Sequence, residues 1–210
     1  YAIDQNVLKT EINDKGNSVM KLESLARMNG FESSGAHSAI FDAELTMKIL
    51  GLIKKKQPKT WDIFLKTSNK LDTETIFKKE TIITLNEYFY GKSRLYLCAP
   101  LHPKHCIHPI YQWGQAIDLR SDVTSLLNLS INDLKLEMKK TPKFLRTIRS
   151  NKAPIILDPS FAMKTEPYNS IEPDLLKKRA KIVRENEKFS QKIIQALREL
   201  AEEKEHSKSQ

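Results

Sequence analysis

Between residues 81 and 159, four short apolar runs, TIITLNEYF, RLYLCAPL, QAIDLR and APIILDP, are each cut off by turn-forming residues, and no other feature limits the fold so tightly. Runs of this length read as strands. So few short strands bury their apolar faces by curling into a small barrel or half-barrel. The segments on either side follow a different period. Upstream, MKLESLARMNG sets Leu22, Leu25 and Met28 at helical spacing and stops at Gly30. From about Ser38 to Lys54, Ala39, Ile40, Ala43, Met47, Leu50 and Ile53 form the apolar face of a second helix, closed by KKKQP. EINDKGNS, before these helices, reads as a turn. WDIFLKTSNK and INDLKLEMKK are shorter helical candidates, the latter capped by Ser130 or Asn132. From about Ile171 the pattern is helical again, with a Ser170 cap, Pro173 in the first turn and a break between Asn186 and Ser190. The last residues, KEHSKSQ, bury nothing and are expected to fray. The expected fold class is α+β.

A chain of 210 residues can bury a core in one or two domains, and 29% charged with 40% hydrophobic residues excludes a disordered class. The formal net charge of +9 favours an acidic partner, nucleic acid first, although many basic proteins bind nothing. Cys98 and Cys106 are the only cysteines, so no disulfide framework is implied and a reducing compartment fits. No apolar run approaches the roughly 18 residues of a membrane span. The chain begins at Tyr1, in what reads as mid-sequence, and a fragment is expected.

Three groups of residues could carry chemistry. In GAHSAIFDAELTMKI, His37 precedes Asp42 by five residues. On a straight helix that leaves the two side chains roughly 140° apart. They converge only if His37 lies in the entry loop, where the positive end of the helix dipole favours a neutral imidazole. Asp42 would then offer oxygen to a hard cation such as magnesium. From spacing alone, a structural or solvated histidine is the commoner outcome. The second group is CAPLHPKHCIHP, with Cys98, His102, His105, Cys106 and His108. These residue types suit zinc, but the intervals repeat no ligand pair and three prolines favour a turn-rich loop. The third is basic: IKKKQPK, KKTPKFLRTIRSNK and LLKKRAKIVR attract phosphate. Trp61, Tyr88, Phe89, Tyr90, Tyr96, Tyr111 and Trp113 could stack unpaired bases, although barrel aromatics are more often core residues.

KLESLARMNG followed by AHSAIFDAELTMKI resembles the last motif of the DEDDh 3′→5′ exonucleases. YAIDQNV, INDKG, KKKQP, APLHP, AIDLRSDVTSLLNLSINDLK, NKAPIIL and KIVREN fall in the order found in the bacterial exodeoxyribonuclease I family. That resemblance covers nearly the whole chain. It implies closing helices of a ribonuclease-H-like exonuclease domain in residues 1–58, a small Src-homology-3-like β-barrel in 59–165 and the start of a helical domain in 166–210. It implies His37 as the general base and Asp42 as one carboxylate of a site for two magnesium ions about 4 Å apart. It implies three more carboxylates in motifs expected upstream of Tyr1, two from an Asp-x-Glu strand about 130 to 150 residues earlier and one from a later aspartate. Glu11, Asp14 and Glu23 do not match them, so this chain alone should be inactive. Arg149, just before the matched NKAPIIL, and Lys152, at its start, are the expected DNA contacts. The implied partners are single-stranded DNA and single-strand DNA-binding protein, without a membrane. A monomer acting in repair and recombination in the bacterial cytoplasm is expected. Asp4 stands where a basic residue would be expected for the binding protein's acidic tail. The alternative is a non-catalytic module, derived from a nuclease, that only holds single-stranded DNA or its binding protein.

Overall fold

Apolar residues at helical spacing upstream of residue 67 gather into a small cluster, and three helices result. A computed structural model describes residues 6–34, 38–89 and 92–207. It divides into two compact units, Tyr1–Lys66 with Asn86–Arg94, and Thr67–Leu85 with Leu95–Gln210. In the first, helix α1 spans Leu22–Met28, α2 spans Ala39–Lys56 and α3 spans Pro58–Lys66. Helix α1 ends as its glycine requires. Gly30 adopts φ 82°, its N–H donates to the Arg27 carbonyl, and Phe31 N–H reaches back to Ala26 at 2.9 Å. Before α1, the EINDKGNS segment turns at Gly16, φ 72°, and closes with an Ile12–Ser18 bridge. The core here is small: Leu8, Leu25 and Ile49, flanked by Leu22, Phe31, Leu52 and Ile53.

The second unit begins with α4, Lys70–Lys79. Strands β1 (Ile83–Phe89) and β2 (Lys92–Pro100), whose residues within Asn86–Arg94 fall in the first unit, and β3 (Gly114–Asp118) follow. Two helices, α5 (Val123–Asn128) and α6 (Ile131–Lys139), precede β4 (Leu145–Ile148). A 3-10 turn at Ser150–Lys152 then leads into β5 (Ile155–Leu157). Helices α7 (Pro159–Met163), α8 (Pro173–Glu185) and α9 (Glu187–His206) complete it. The five strands form one sheet in the order β4-β3-β2-β1-β5, with β2–β3 and β3–β4 antiparallel. The outermost strands are thus joined by only six residues, 149–154. A flat sheet would set β4 and β5 about 19 Å apart, four strand spacings. The link holds the 3-10 turn and a left-handed Ala153 (φ 43°, ψ 60°), so it is far from extended and the sheet bends around its core.

That core runs from Phe77 of α4 through Leu85, Leu97 and Ile117 to Leu176, Ile193 and Ala196 of α8 and α9. Every residue of β3 is buried. Its last residue, Asp118, is fully buried and met by several groups. Tyr168 Oη donates to Oδ1 at 2.8 Å, Arg120 N–H donates to Oδ1 at 3.2 Å, and the Arg120 guanidinium lies 3.0 Å from Oδ2. Arg184, on α8, donates to the carbonyls of Phe77 (3.0 Å), Lys78 (2.7 Å) and Leu101 (2.6 Å), two of them at the open C-terminus of α4.

All four strands expected from the apolar runs are present. Ser130, rather than Asn132, caps α6 by accepting from Asp133 N–H. Strand β4 and helices α4, α5 and α7 were not anticipated: β4 is four residues long, and α4 carries few apolar residues to mark its period. Ser170 is not the α8 cap. Its hydroxyl donates to Glu166 at 2.7 Å, and the helix starts after Glu172 with Pro173 in its first turn. The break at Asn186 is as expected, with its side chain capping α9 through Phe189 N–H. The fraying expected of the tail does not extend to Lys204, Glu205 and His206, which continue α9. Among the described residues, no helix is long and apolar enough to cross a membrane.

Candidate functional site

Helix α2 opens with Ser38 as N-cap, its Oγ accepting from Phe41 N–H at 3.2 Å. Asp42 sits in the first turn, half-buried, with its own N–H on the Ser38 carbonyl at 3.0 Å. Thr46 Oγ1 donates back to the Asp42 carbonyl at 2.8 Å. At helical spacing Asp42 heads the line that continues into Leu45 and Ile49, the buried side of α2. Ile40 and Met47, on the other side, are 76% and 68% exposed. His37 lies outside the described residues, so its approach to Asp42 is not part of this geometry. Among the described residues, no group of three or more His, Cys, Asp or Glu side chains is placed to hold a metal ion. Asp42 alone does not make a site for two magnesium ions. Glu11, which the motif comparison set aside, is engaged with Arg27 and accepts from Ser24 Oγ at 2.8 Å; the Arg27 guanidinium holds its carboxyl below the usual range.

The basic and aromatic residues separate into distinct settings. Arg149 and Lys152 are exposed, at the start and end of the 3-10 link between β4 and β5. The Arg149 guanidinium lies over the Trp113 ring, 4.8 Å from its centroid. Trp113 stacks on Tyr111 at 5.0 Å and 23°, and Tyr111 lies 4.9 Å from His108. The Arg146 guanidinium lies 3.4 Å from the Tyr96 centroid and 3.6 Å from Asp118, with its side chain only 12% exposed. In the first unit, Lys54 lies over Trp61 at 5.8 Å, and Tyr88 and Phe89 are exposed near the β1–β2 turn. Tyr90 and Asp4 lie outside the described residues.

The CAPLHPKHCIHP segment begins as the end of β2 and continues from Leu101 as a turn-rich loop, and its side chains have other work. Cys98 and Cys106 are buried and not joined in a disulfide, and burial pushes the Cys106 thiol up. Cys106 Sγ donates to the Pro103 carbonyl, and His105 Nε2 lies 3.2 Å from Glu187. His108 is buried, and its Nδ1 accepts from both Ile110 N–H and Tyr111 N–H at 3.2 Å. That acceptor role places the proton of the neutral ring on Nε2. Burial first, and then Arg198, lower its pKa below the ordinary histidine value. The sequence pattern did not single out His108 for this role, although a His-Pro pair opening a polar turn is the signal that could have done so.

No family model matches the chain. Exodeoxyribonuclease I of Buchnera aphidicola from Acyrthosiphon pisum is 27% identical over 205 residues, covering 92% of this chain and 48% of that protein. E. coli exonuclease I in complex with a dA16 oligonucleotide shares the fold at TM-score 0.64 and 22% identity, over 93% of this chain and 44% of that one. The ExoI/SSB-Ct complex matches at the same TM-score, identity and coverage. The chain therefore spans about half the length of the curated relatives it matches. Over most of its length the chain is thus similar in sequence to bacterial exodeoxyribonuclease I, at 24% to 28% identity, and similar in fold to exonuclease I.

Proposed function

We propose that this chain contributes one part of a magnesium-dependent 3′→5′ exonuclease that removes mononucleotides from single-stranded DNA during repair and recombination in the bacterial cytoplasm. The observation that carries the reading is the match to exodeoxyribonuclease I over 92% of the chain. In this reading, residues 1–58 close a ribonuclease-H-like domain, 59–165 form a Src-homology-3-like barrel and 166–210 begin a helical domain. The strand order β4-β3-β2-β1-β5 and the 3-10 turn between the two outermost strands support the barrel. The exposed Ile40 and Met47 on α2 support a missing layer against that helix.

His37 would take the proton from the attacking water, and Asp42 would give one carboxylate to the metal site. Bound magnesium would activate water and stabilise the leaving oxygen. Asp42 is one carboxylate where such a site needs several, so an active enzyme requires further carboxylates from outside these 210 residues. Arg149 and Lys152 would hold the DNA backbone. Single-strand DNA-binding protein is the proposed protein partner, in keeping with the ExoI/SSB-Ct neighbour.

The test is nucleotide release from a 3′-ended single strand by the full-length parent protein. Release should require magnesium and fall at least about a hundredfold in His37→Ala, the lower range for removing a general base. Asp42→Asn should lower it as well. A parent that binds single-stranded DNA with salt-sensitive affinity but releases nothing would instead establish the non-catalytic module.

A further inference from the structure

We propose that the outward face of the Arg149 guanidinium is a stacking site for one unpaired nucleobase, with Lys152 beside it to meet the adjoining phosphate. The inference rests on the reading that the chain meets single-stranded DNA, and it adds the mode of contact. Sheet register explains why this arginine is held in place. Strands β3 and β4 pair Gly114 with Ile148, Gln115 with Thr147 and Ala116 with Arg146. The next position of the same antiparallel register sets Trp113 opposite Arg149, so the two side chains leave the same face of the sheet. Thr147 on that face is exposed, and its Oγ1 donates to Gln115 at 2.8 Å.

A second constraint fixes the pair. Ser150, next to Arg149 and buried, donates from Oγ to the carbonyl of Gln112, next to Trp113, at 3.0 Å. Behind Trp113 the column continues through Tyr111 to the buried His108, whose Nδ1 holds the turn through two backbone N–H groups. The result is a chain of π-systems, anchored in the interior and ending at the surface in a cation. Arg146 makes the contrast: its guanidinium is spent on Tyr96 and the buried Asp118. Arg149, resting on one ring and exposed, presents a flat delocalised cation already oriented, so less rotamer freedom is lost when a base stacks on it. Bases inside a duplex have their faces covered by neighbours. Single strands offer them freely.

The experiment compares this chain with its Arg149→Lys variant, binding a fluorescent oligothymidylate and an abasic strand of equal length by anisotropy at fixed salt. Lysine keeps the charge and loses the plane, and the position is exposed, so folding is not at issue. Arg149→Lys should weaken oligothymidylate binding about fivefold or more, the lower end of one base–aromatic stack. Its affinity for the abasic strand should match that of the parent chain. Equal affinity of both proteins for oligothymidylate would overturn the site, as would equal affinity of the unaltered chain for the two strands, or no binding to either. The readout is binding rather than hydrolysis, so a parent protein without nuclease activity would sink the proposed function and leave this result standing.

Discussion

A β-carbon added at Gly114 would lie 2.8 Å from Cε1 and Cζ of Phe77, a ring with no exposed surface. The glycine is therefore a matter of clearance rather than of backbone freedom. Gly114→Ala should lower stability by about 1–3 kcal/mol, the usual cost of overpacking a core. A urea titration of the single variant, and of the pair with Phe77→Leu, checks this; the pair should recover part of the loss. At Tyr168 the determinant is charge. Burial and the neighbouring Asp118 push its phenol well above the ordinary tyrosine value. The folded state therefore keeps the proton longer than the unfolded chain does. The stabilisation is complete below the unfolded tyrosine pKa of about 10 and is lost as pH rises beyond it. Tyr168→Phe should flatten that alkaline decline in denaturant midpoints measured as a function of pH. A decline of unchanged slope would remove the Tyr168–Asp118 contact from the account. Neither effect could be read in the sequence. AIDLR marks Asp118 only as part of a matched run, and its partners Tyr168 and Arg146 come from positions 50 and 28 residues further along the chain.

Among the elements, those with a periodic apolar face were legible, and those defined by one turn or one tertiary contact were not. Helices α2 and α9 and strands β1 and β2 declare themselves by spacing. Helix α4 does not, because it is held by a residue that comes much later in the chain. Arg184 reaches from α8 to the Phe77 and Lys78 carbonyls, supplying both donors and positive charge to the end of α4. Arg184→Met should cost about 3 kcal/mol, since it leaves buried carbonyls without their charged donor. The loss should appear in hydrogen exchange first at the last turn of α4. The entry of α2 shows the same limit from the other side. The pattern put Asp42 inside the helix, but nothing in it showed that Asp42 lies in the first turn and continues the buried side.

At the scale of the whole molecule, two cores of unequal size share one chain. The first unit buries Leu8, Leu25 and Ile49, while the second buries a continuous cluster from Phe77 to Ala196. Small cores bury less surface per ordered residue and are correspondingly marginal. Amides of α1 and α2 should therefore exchange through openings of lower free energy than those of β3, and the unfolding curve should show two steps. A single step with uniform protection would contradict this. Charge must also be counted by employment. Arg184 is bound to carbonyls, Arg179 donates to Leu119, and Lys192 donates to Leu127 and Leu129 at 2.8 Å each. The net charge of +9 thus overstates what is available to phosphate. The six-residue link between β4 and β5 bears on how this protein behaves in a crowd. Its edge strands are four and three residues long and belong to a bent sheet, so they offer a passing strand almost no ladder to extend. A chain this rich in β-forming runs is thereby shielded from templating its own aggregation.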